Sequence, residues 1–277
     1  MASLSQAIAG LAEVADRFDA LFIDQFGVLH DGSTPYPQAI ATLRTLSAAG
    51  KRVVLLSNSG KRAARNAARL TTLGIAPDLY QAIVTSGEVG WAMLADDPAA
   101  RRCLLLTRDD DRSAIAGLPI TVVDDAADCD FVLIAGSEGD RRSLDSYRDL
   151  LAVAAARGVP ALCTNPDFEM LTAAGLRFGA GRIAQAYEAL GGTVTWIGKP
   201  YPAIYAAARA LVPDVPVARI LCVGDSIDHD IAGAAGAGLA GCLVRSGIVA
   251  DIDGDALAAM IDRSDAKPDF ILSDLRW

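Results

Sequence analysis

Short apolar runs alternate with helical stretches along most of this chain, and that rhythm constrains the fold more than any other feature. Ala20–Ile23, Arg52–Leu56 and Ile83–Thr85 read as buried strands. Pro37–Ala49 has proline at its start and Gly50 just past its end, and Lys61–Leu73 is stopped by Gly74, so both read as the helices in between. Strand, helix, strand in succession means a parallel sheet, because a parallel neighbour is reached only by a crossover. A further helix is expected over residues 4–17, with Leu4, Ile8, Leu11 and Val14 on one face.

From Pro98 the text changes to short strands (Cys103–Thr107, Ile120–Val123, Phe131–Ala135, Pro160–Cys163), acidic loops such as Asp109-Asp110-Asp111, and a long helix from Ser143 to Arg157. The acidic loops read as solvated turns rather than metal sites. The first rhythm then returns, with strands expected at Thr193–Ile197, Arg219–Val223, Gly241–Val244 and Phe270–Leu272. The fold class is therefore α/β: a discontinuous core of residues 1–97 and 193–277 around an inserted smaller α/β domain, 98–192. At 277 residues, two units can each bury a core.

No apolar run approaches the roughly 20 residues of a membrane helix, and no secretory leader is evident, so a cytoplasmic protein without membrane contact is expected. The formal charge of -9 argues against a nucleic-acid partner, which requires a clustered basic surface. The five cysteines are scattered with no CxxC pair and read as buried thiols. Homodimerisation stays open as a mode of assembly.

Polar residues gather at the strand ends, where an open α/β sheet binds ligands. Asp24 closes the first strand and Ser57-Asn58-Ser59-Gly60 the second; Thr85-Ser86-Gly87 closes the third. Gly198-Lys199-Pro200 and Gly224-Asp225-Ser226-Ile227-Asp228-His229-Asp230 follow later strands. Phosphoryl transfer needs an aligned nucleophile, positive charge and donors around the oxygens, and these stretches supply each. Asp24 would be the nucleophile, Lys199 the neutralising cation, and Ser57 with the N–H groups of Asn58 and Ser59 a phosphoryl cradle. Asp225, with Asp230 five residues on, would complete an oxygen-rich Mg²⁺ site. Taken singly, Asp24 equally opens a turn and Ser57-Asn58 equally caps a helix, while the place of Lys199 between Gly and Pro after a strand weighs against a plain surface lysine. Their joint order is the specific signal.

That order resembles the haloacid dehalogenase superfamily, whose nucleophile Asp, strand-end Ser/Thr, Lys and GD-x-x-x-x-D match Asp24, Ser57, Lys199 and Asp225 with Asp230. Gly27-Val28-Leu29, Ser57-Asn58, Thr85-Ser86, Thr164-Asn165-Pro166-Asp167 and Gly198-Lys199-Pro200 are similar to class IIA, the p-nitrophenyl phosphatase and pyridoxal phosphatase group. The resemblance implies a Rossmann-like core, a large α/β cap that chooses the substrate, Mg²⁺ and a phosphoaspartate. It makes Ser86, Asn165 and Asp167 candidates for substrate contact. It also exposes a departure. The family's second Asp, the general acid two residues after the nucleophile, is Phe26 here. The Phe26 carbonyl can still serve a metal, but a proton donor is gone; His30 and His229, the only histidines, are the residues that would replace it. The expected function is a Mg²⁺-dependent phosphatase of small phosphorylated metabolites, limited by its missing acid. The alternative is a phosphometabolite-binding protein with little turnover, and phosphonate hydrolysis, which lacks a cap lysine here, is a third reading.

Overall fold

In the computed structural model, which describes residues 5–96, 102–172 and 175–277, the alternation closes into two separate parallel sheets. The chain divides into two compact units: Met1–Ser57, Ala64–Val84 and Lys199–Trp277 form one, and Asn58–Ala63 with Thr85–Gly198 the other. The boundary read at residues 97 and 98 lies outside the described residues, as does Leu4.

The larger sheet orders its strands Gln6–Ala7, Phe270–Leu272, Ala240–Val244, Ile220–Gly224, Ala20–Asp24, Arg52–Ser57 and Ala82–Thr85. Every position of Ala20–Asp24 is buried. That suits a strand packed on both faces, where apolar residues run continuously instead of alternating with polar ones. Leu21 and Ile23 join Val53, Leu55, Leu221, Val223 and Phe270 in one core. On that core lie Ile8, Leu11, Val14 and Phe18, so the apolar face read in the N-terminal segment is real. Its helix is not: the segment forms strand Gln6–Ala7, paired with Phe270 and Ile271, and two 3₁₀ turns, Leu11–Glu13 and Ala15–Arg17. Gly10 explains the difference. A Cβ there would lie 2.3 Å from the Trp277 carbonyl oxygen, and Leu11 N–H donates to Arg276 at 3.0 Å, so strand-like contact with the C-terminal segment wins over helical periodicity.

The smaller sheet orders Thr193–Trp196, Pro160–Cys163, Phe131–Ile134, Arg102–Leu106 and Thr121–Val123, all parallel. Cys103, Phe131, Leu133 and Leu162 pack with Val89 and Leu94 of helix Ser86–Asp96. The intervening Leu104, Leu106, Val132, Ile134 and Cys163 pack on helices Leu144–Ala156 and Ala180–Ala189. This period of two, filled on both faces, is what the apolar runs encode. Thr193–Trp196, which the rhythm assigns to the first sheet, pairs here with Pro160–Cys163; strand order along the chain is the same for either sheet, and only pairing decides. The sequence reading also passes over an antiparallel hairpin, Glu169–Thr172 with Gly175–Phe178, whose strands are short and half exposed.

All five cysteines are buried free thiols, as expected. No helix among the described residues is long and apolar enough to cross a membrane.

Candidate active site

From Ala20–Asp24 the chain first adds Arg52–Ser57 and Ala82–Thr85 on one side, and later Ile220–Gly224, Ala240–Val244 and Phe270–Leu272 on the other. The connections diverge between Ala20–Asp24 and Ile220–Gly224, which leaves a crevice at their carboxyl ends. Asp24 is the last residue of one strand and Asp225 the first beyond the other. Ser57 ends the strand on the opposite flank, one residue past Leu56, the register partner of Asp24.

Lys199 Nζ donates to Asp24 Oδ1 and, at 2.7 Å, to Asp230 Oδ1, with all three residues buried. Asp24, Asp225 and Asp230 each offer a carboxylate oxygen within 4.8 Å of the others. Asp230 is brought in by a π-helical turn, Ile227–Ile231, wider than an α turn. Ser226 opens it: its Oγ accepts His229 N–H at 3.1 Å, and its own N–H donates to Asp230 Oδ2 at 3.1 Å. Gly224 makes room, since a Cβ there would lie 2.0 Å from Asp230 Cγ.

Asp225 is held by a loop that the sequence reading missed. Ile248 N–H donates to Asp225 Oδ2 at 2.7 Å, and a Cβ on either Gly27 or Gly247 would lie 2.0 Å from that oxygen. Ser246-Gly247 follows the apolar strand Ala240–Val244 as Ser57-Asn58 follows its own, and that was the available signal. Gly27 also has φ 87°, in the left-handed region. Gly27→Ala is therefore expected to lower stability by about 1–3 kcal/mol from backbone strain and overpacking, read as a drop in the chemical-denaturation midpoint.

Burial pushes the Asp24 carboxyl well above the usual carboxylate range, against the pull of Lys199. Burial, then the Asp230 charge, push Asp225 up to about 7. Burial would depress Lys199, but Asp230 and Asp24 overcome it and hold the ammonium above its ordinary value. Three carboxylates thus crowd one ammonium, and a divalent cation would supply the missing positive charge. The donors are all hard oxygens, the set Mg²⁺ prefers. The Phe26 carbonyl accepts no hydrogen bond among the described residues and remains available as a further donor.

Phe26 stands 45% exposed, its ring edge-on to His30. His30 is buried, and its Nδ1 accepts Gly32 N–H at 3.0 Å. Burial, then Arg69, lower its pKa to about 4, so the imidazole is neutral near pH 7 and poorly suited to replace the acid. His229 lies in the π-helical turn, its carbonyl 3.4 Å from the Tyr205 hydroxyl that donates to it.

The remaining candidates lie in the second unit. Asn58 Nδ2 donates to Asp167 Oδ1 at 2.8 Å, and Asp167 N–H to Asn165 Oδ1 at 3.2 Å. A Cβ on Gly198 would lie 2.5 Å from Ser86 Oγ and 2.8 Å from both Asn58 Oδ1 and Pro166 Cδ, so Asn58, Ser86 and the Asn165-Pro166-Asp167 segment converge there. Ser59 and Asn165 also line a cavity of ≈ 120 Å³ with Lys61, Arg108 and Met170.

Comparison with known proteins finds a haloacid dehalogenase-like hydrolase family model over residues 21–121 and a HAD-hydrolase-like model over 196–277. A haloacid dehalogenase-like hydrolase from Brucella suis 1330 superposes with a TM-score of 0.84 at 30% identity, covering 97% of this chain and 99% of that one. D-glycerol 3-phosphate phosphatase of Mycobacterium tuberculosis is 29% identical over 271 residues, 96% of this chain and 72% of its own length. The glycerol phosphate phosphatase of that organism, solved in complex with magnesium, superposes with a TM-score of 0.74 at 27% identity, covering 94% of this chain and 77% of that one.

Proposed function

The chain belongs to the class IIA haloacid dehalogenase-like hydrolases, and on that premise we propose that it is a Mg²⁺-dependent phosphatase of small phosphorylated metabolites, working through an aspartyl-phosphate at Asp24. The observation that carries this reading is the buried Lys199 shared between Asp24 and Asp230. Lys199 fixes the nucleophilic carboxylate and offsets its repulsion by an anionic phosphoryl group. Ser57 and the N–H groups of Asn58 and Ser59 donate to the phosphoryl oxygens; Ser86 and Asn165 complete the contacts to substrate. Asp24, the Phe26 carbonyl, Asp225 and Asp230 would hold Mg²⁺, a reading supported by the magnesium complex of the mycobacterial relative. When bound, the cation neutralises developing charge on the phosphoryl oxygens. The second compact unit is read as the cap that selects the substrate.

Phe26 makes the enzyme atypical, because the leaving oxygen receives no proton from that position. The same residue favours the second reading, a binding protein with little turnover. A screen of acyl, aryl, sugar and alkyl phosphates, with Mg²⁺ and with chelator, separates the two. Mg²⁺-dependent turnover of any class supports the enzyme; tight binding of phosphate analogues without turnover supports the binding protein. Asp225→Ala is expected to weaken Mg²⁺ binding by roughly 10- to 100-fold, on the scale of changes made around metal sites, because a hard cation loses a charged ligand. Calorimetric titration checks it, and an isotherm matching wild type would remove Asp225 from the site.

A further inference from the structure

Asp230 stands on a backbone turn that has to be held open. A π turn is an uncommon backbone form, found mostly at functional sites. In Ile227–Ile231 the Ser226 carbonyl accepts both Asp230 N–H at 3.0 Å and Ile231 N–H at 3.1 Å. The peptide that joins His229 to Asp230 therefore has its N–H fixed by Ser226. Its carbonyl, that of His229, accepts Ala232 N–H and the hydroxyl of Tyr205, the latter at 3.4 Å. Both lone pairs of that oxygen are used, and Tyr205 completes the hold on the peptide unit that carries Asp230.

Tyr205 comes from a different segment. It lies on helix Pro202–Ala210, which Lys199 leads into, and is 2% exposed. Its ring packs on the continuation of the turn, helix Ala232–Gly236, where a Cβ on Gly233 would lie 2.2 Å from Tyr205 Oη and 2.6 Å from its Cζ. Glycine at 233 thus gives the hydroxyl its path to the His229 carbonyl. Burial first, then Cys222, Asp230 and Asp24, push the phenol well above its ordinary pKa, so it stays a neutral donor. Two links then join the same pair of segments: Lys199 to Asp230 at 2.7 Å, and Tyr205 to the adjacent His229.

We infer that Tyr205 is a positioning residue of the site: its hydroxyl fixes the peptide before Asp230, and so sets where that carboxylate stands for Lys199 and for Mg²⁺. The inference rests on the phosphatase reading and deepens it. Asp230 Oδ1 is engaged by Lys199 at 2.7 Å and Oδ2 by Ser226 N–H at 3.1 Å. A rotation of the preceding peptide moves both oxygens relative to Asp24 and Asp225, and Mg²⁺ tolerates little departure from its preferred geometry. Tyr205 acts through Asp230, as groups behind metal ligands do when they orient them.

The test uses Mg²⁺ alone, titrated calorimetrically into the metal-free full chain. Tyr205→Phe keeps the ring and removes one hydrogen bond. Its dissociation constant for Mg²⁺ should rise about tenfold, the lower end of what loss of a supporting contact around a metal site costs. Tyr187→Phe is the matched control, because Tyr187 is fully buried in the second unit and its hydroxyl donates to the Val159 carbonyl at 2.6 Å. It should lower the melting temperature yet leave Mg²⁺ binding within about twofold of wild type, as independent sites do. Gly233→Ala puts a methyl group where the ring lies, should weaken Mg²⁺ binding at least as much as Tyr205→Phe, and carries the test if Tyr205→Phe fails to fold. Mg²⁺ binding within about twofold of wild type in folded Tyr205→Phe or Gly233→Ala, or an equal loss in Tyr187→Phe, would overturn the inference and leave the phosphatase reading standing. Wild type that binds no Mg²⁺ would overturn the metal site and the inference together.

Discussion

Asp24→Asn should lower turnover by roughly 10⁴-fold or more, the scale seen when a covalent nucleophile is removed, while leaving the fold in place. The amide keeps the shape of the carboxylate but cannot form an acyl phosphate. Lys199 retains Asp230 at 2.7 Å, so the substitution does not strand a buried ammonium. Burial already disfavours a charge at Asp24, and replacing it by a neutral group relieves that cost. The melting temperature of the metal-free variant is therefore expected to match or exceed wild type. Single-turnover quenching with radiolabelled substrate should trap label on wild type and none on the variant; wild-type kcat in Asp24→Asn would end the covalent route.

Phe26→Asp should raise kcat/KM for alkyl phosphates by up to roughly 10²- to 10⁴-fold, the usual contribution of a general acid, with far less effect on aryl or acyl phosphates. Only a basic leaving group gains much from a proton. Neighbouring Asp24 and Asp225 disfavour ionisation of a third carboxyl, which keeps the new group protonated and able to donate. The measurement is kcat/KM across an alkyl and aryl series in both proteins, with single-turnover rates to isolate cleavage. Equal wild-type cleavage rates for alkyl and aryl esters would mean that another group already supplies the proton.

The order of elements was largely legible because it rests on local chemistry. Ala20–Asp24, Arg52–Ser57 and Ile220–Gly224 are strands within a residue or so of their expected limits, since continuous apolar runs bounded by glycine and polar residues have few other uses. The N-terminal segment shows where local chemistry stops. Its apolar positions at helical spacing are buried as expected, yet Gly10 and the contact with Trp277 impose extended backbone and 3₁₀ turns. Thr193–Trp196 shows the same limit for pairing, because a strand's sequence carries its faces but not its neighbour.

The candidate site divides along the same line. Asp24, Lys199, Asp225 and Asp230 could be picked from the sequence because each residue type follows an apolar strand, at a spacing that brings Asp230 one turn beyond Asp225. Their meeting could not be read, since Lys199 and Asp24 are 175 positions apart and Lys199 follows Thr193–Trp196, a strand that does not pair in the sheet Asp24 belongs to. Gly27, Gly247 and Ser246 look in sequence like ordinary turn residues. Their role in clasping Asp225 comes from distances of a few ångströms between segments 219 positions apart. The sequence by itself determined which side chains could do the chemistry, because residue type and strand-end position are local. Tertiary structure decided which of them share a charge and in which direction burial shifts the Asp24 and Asp225 carboxyls, because those depend on what the rest of the chain packs around them.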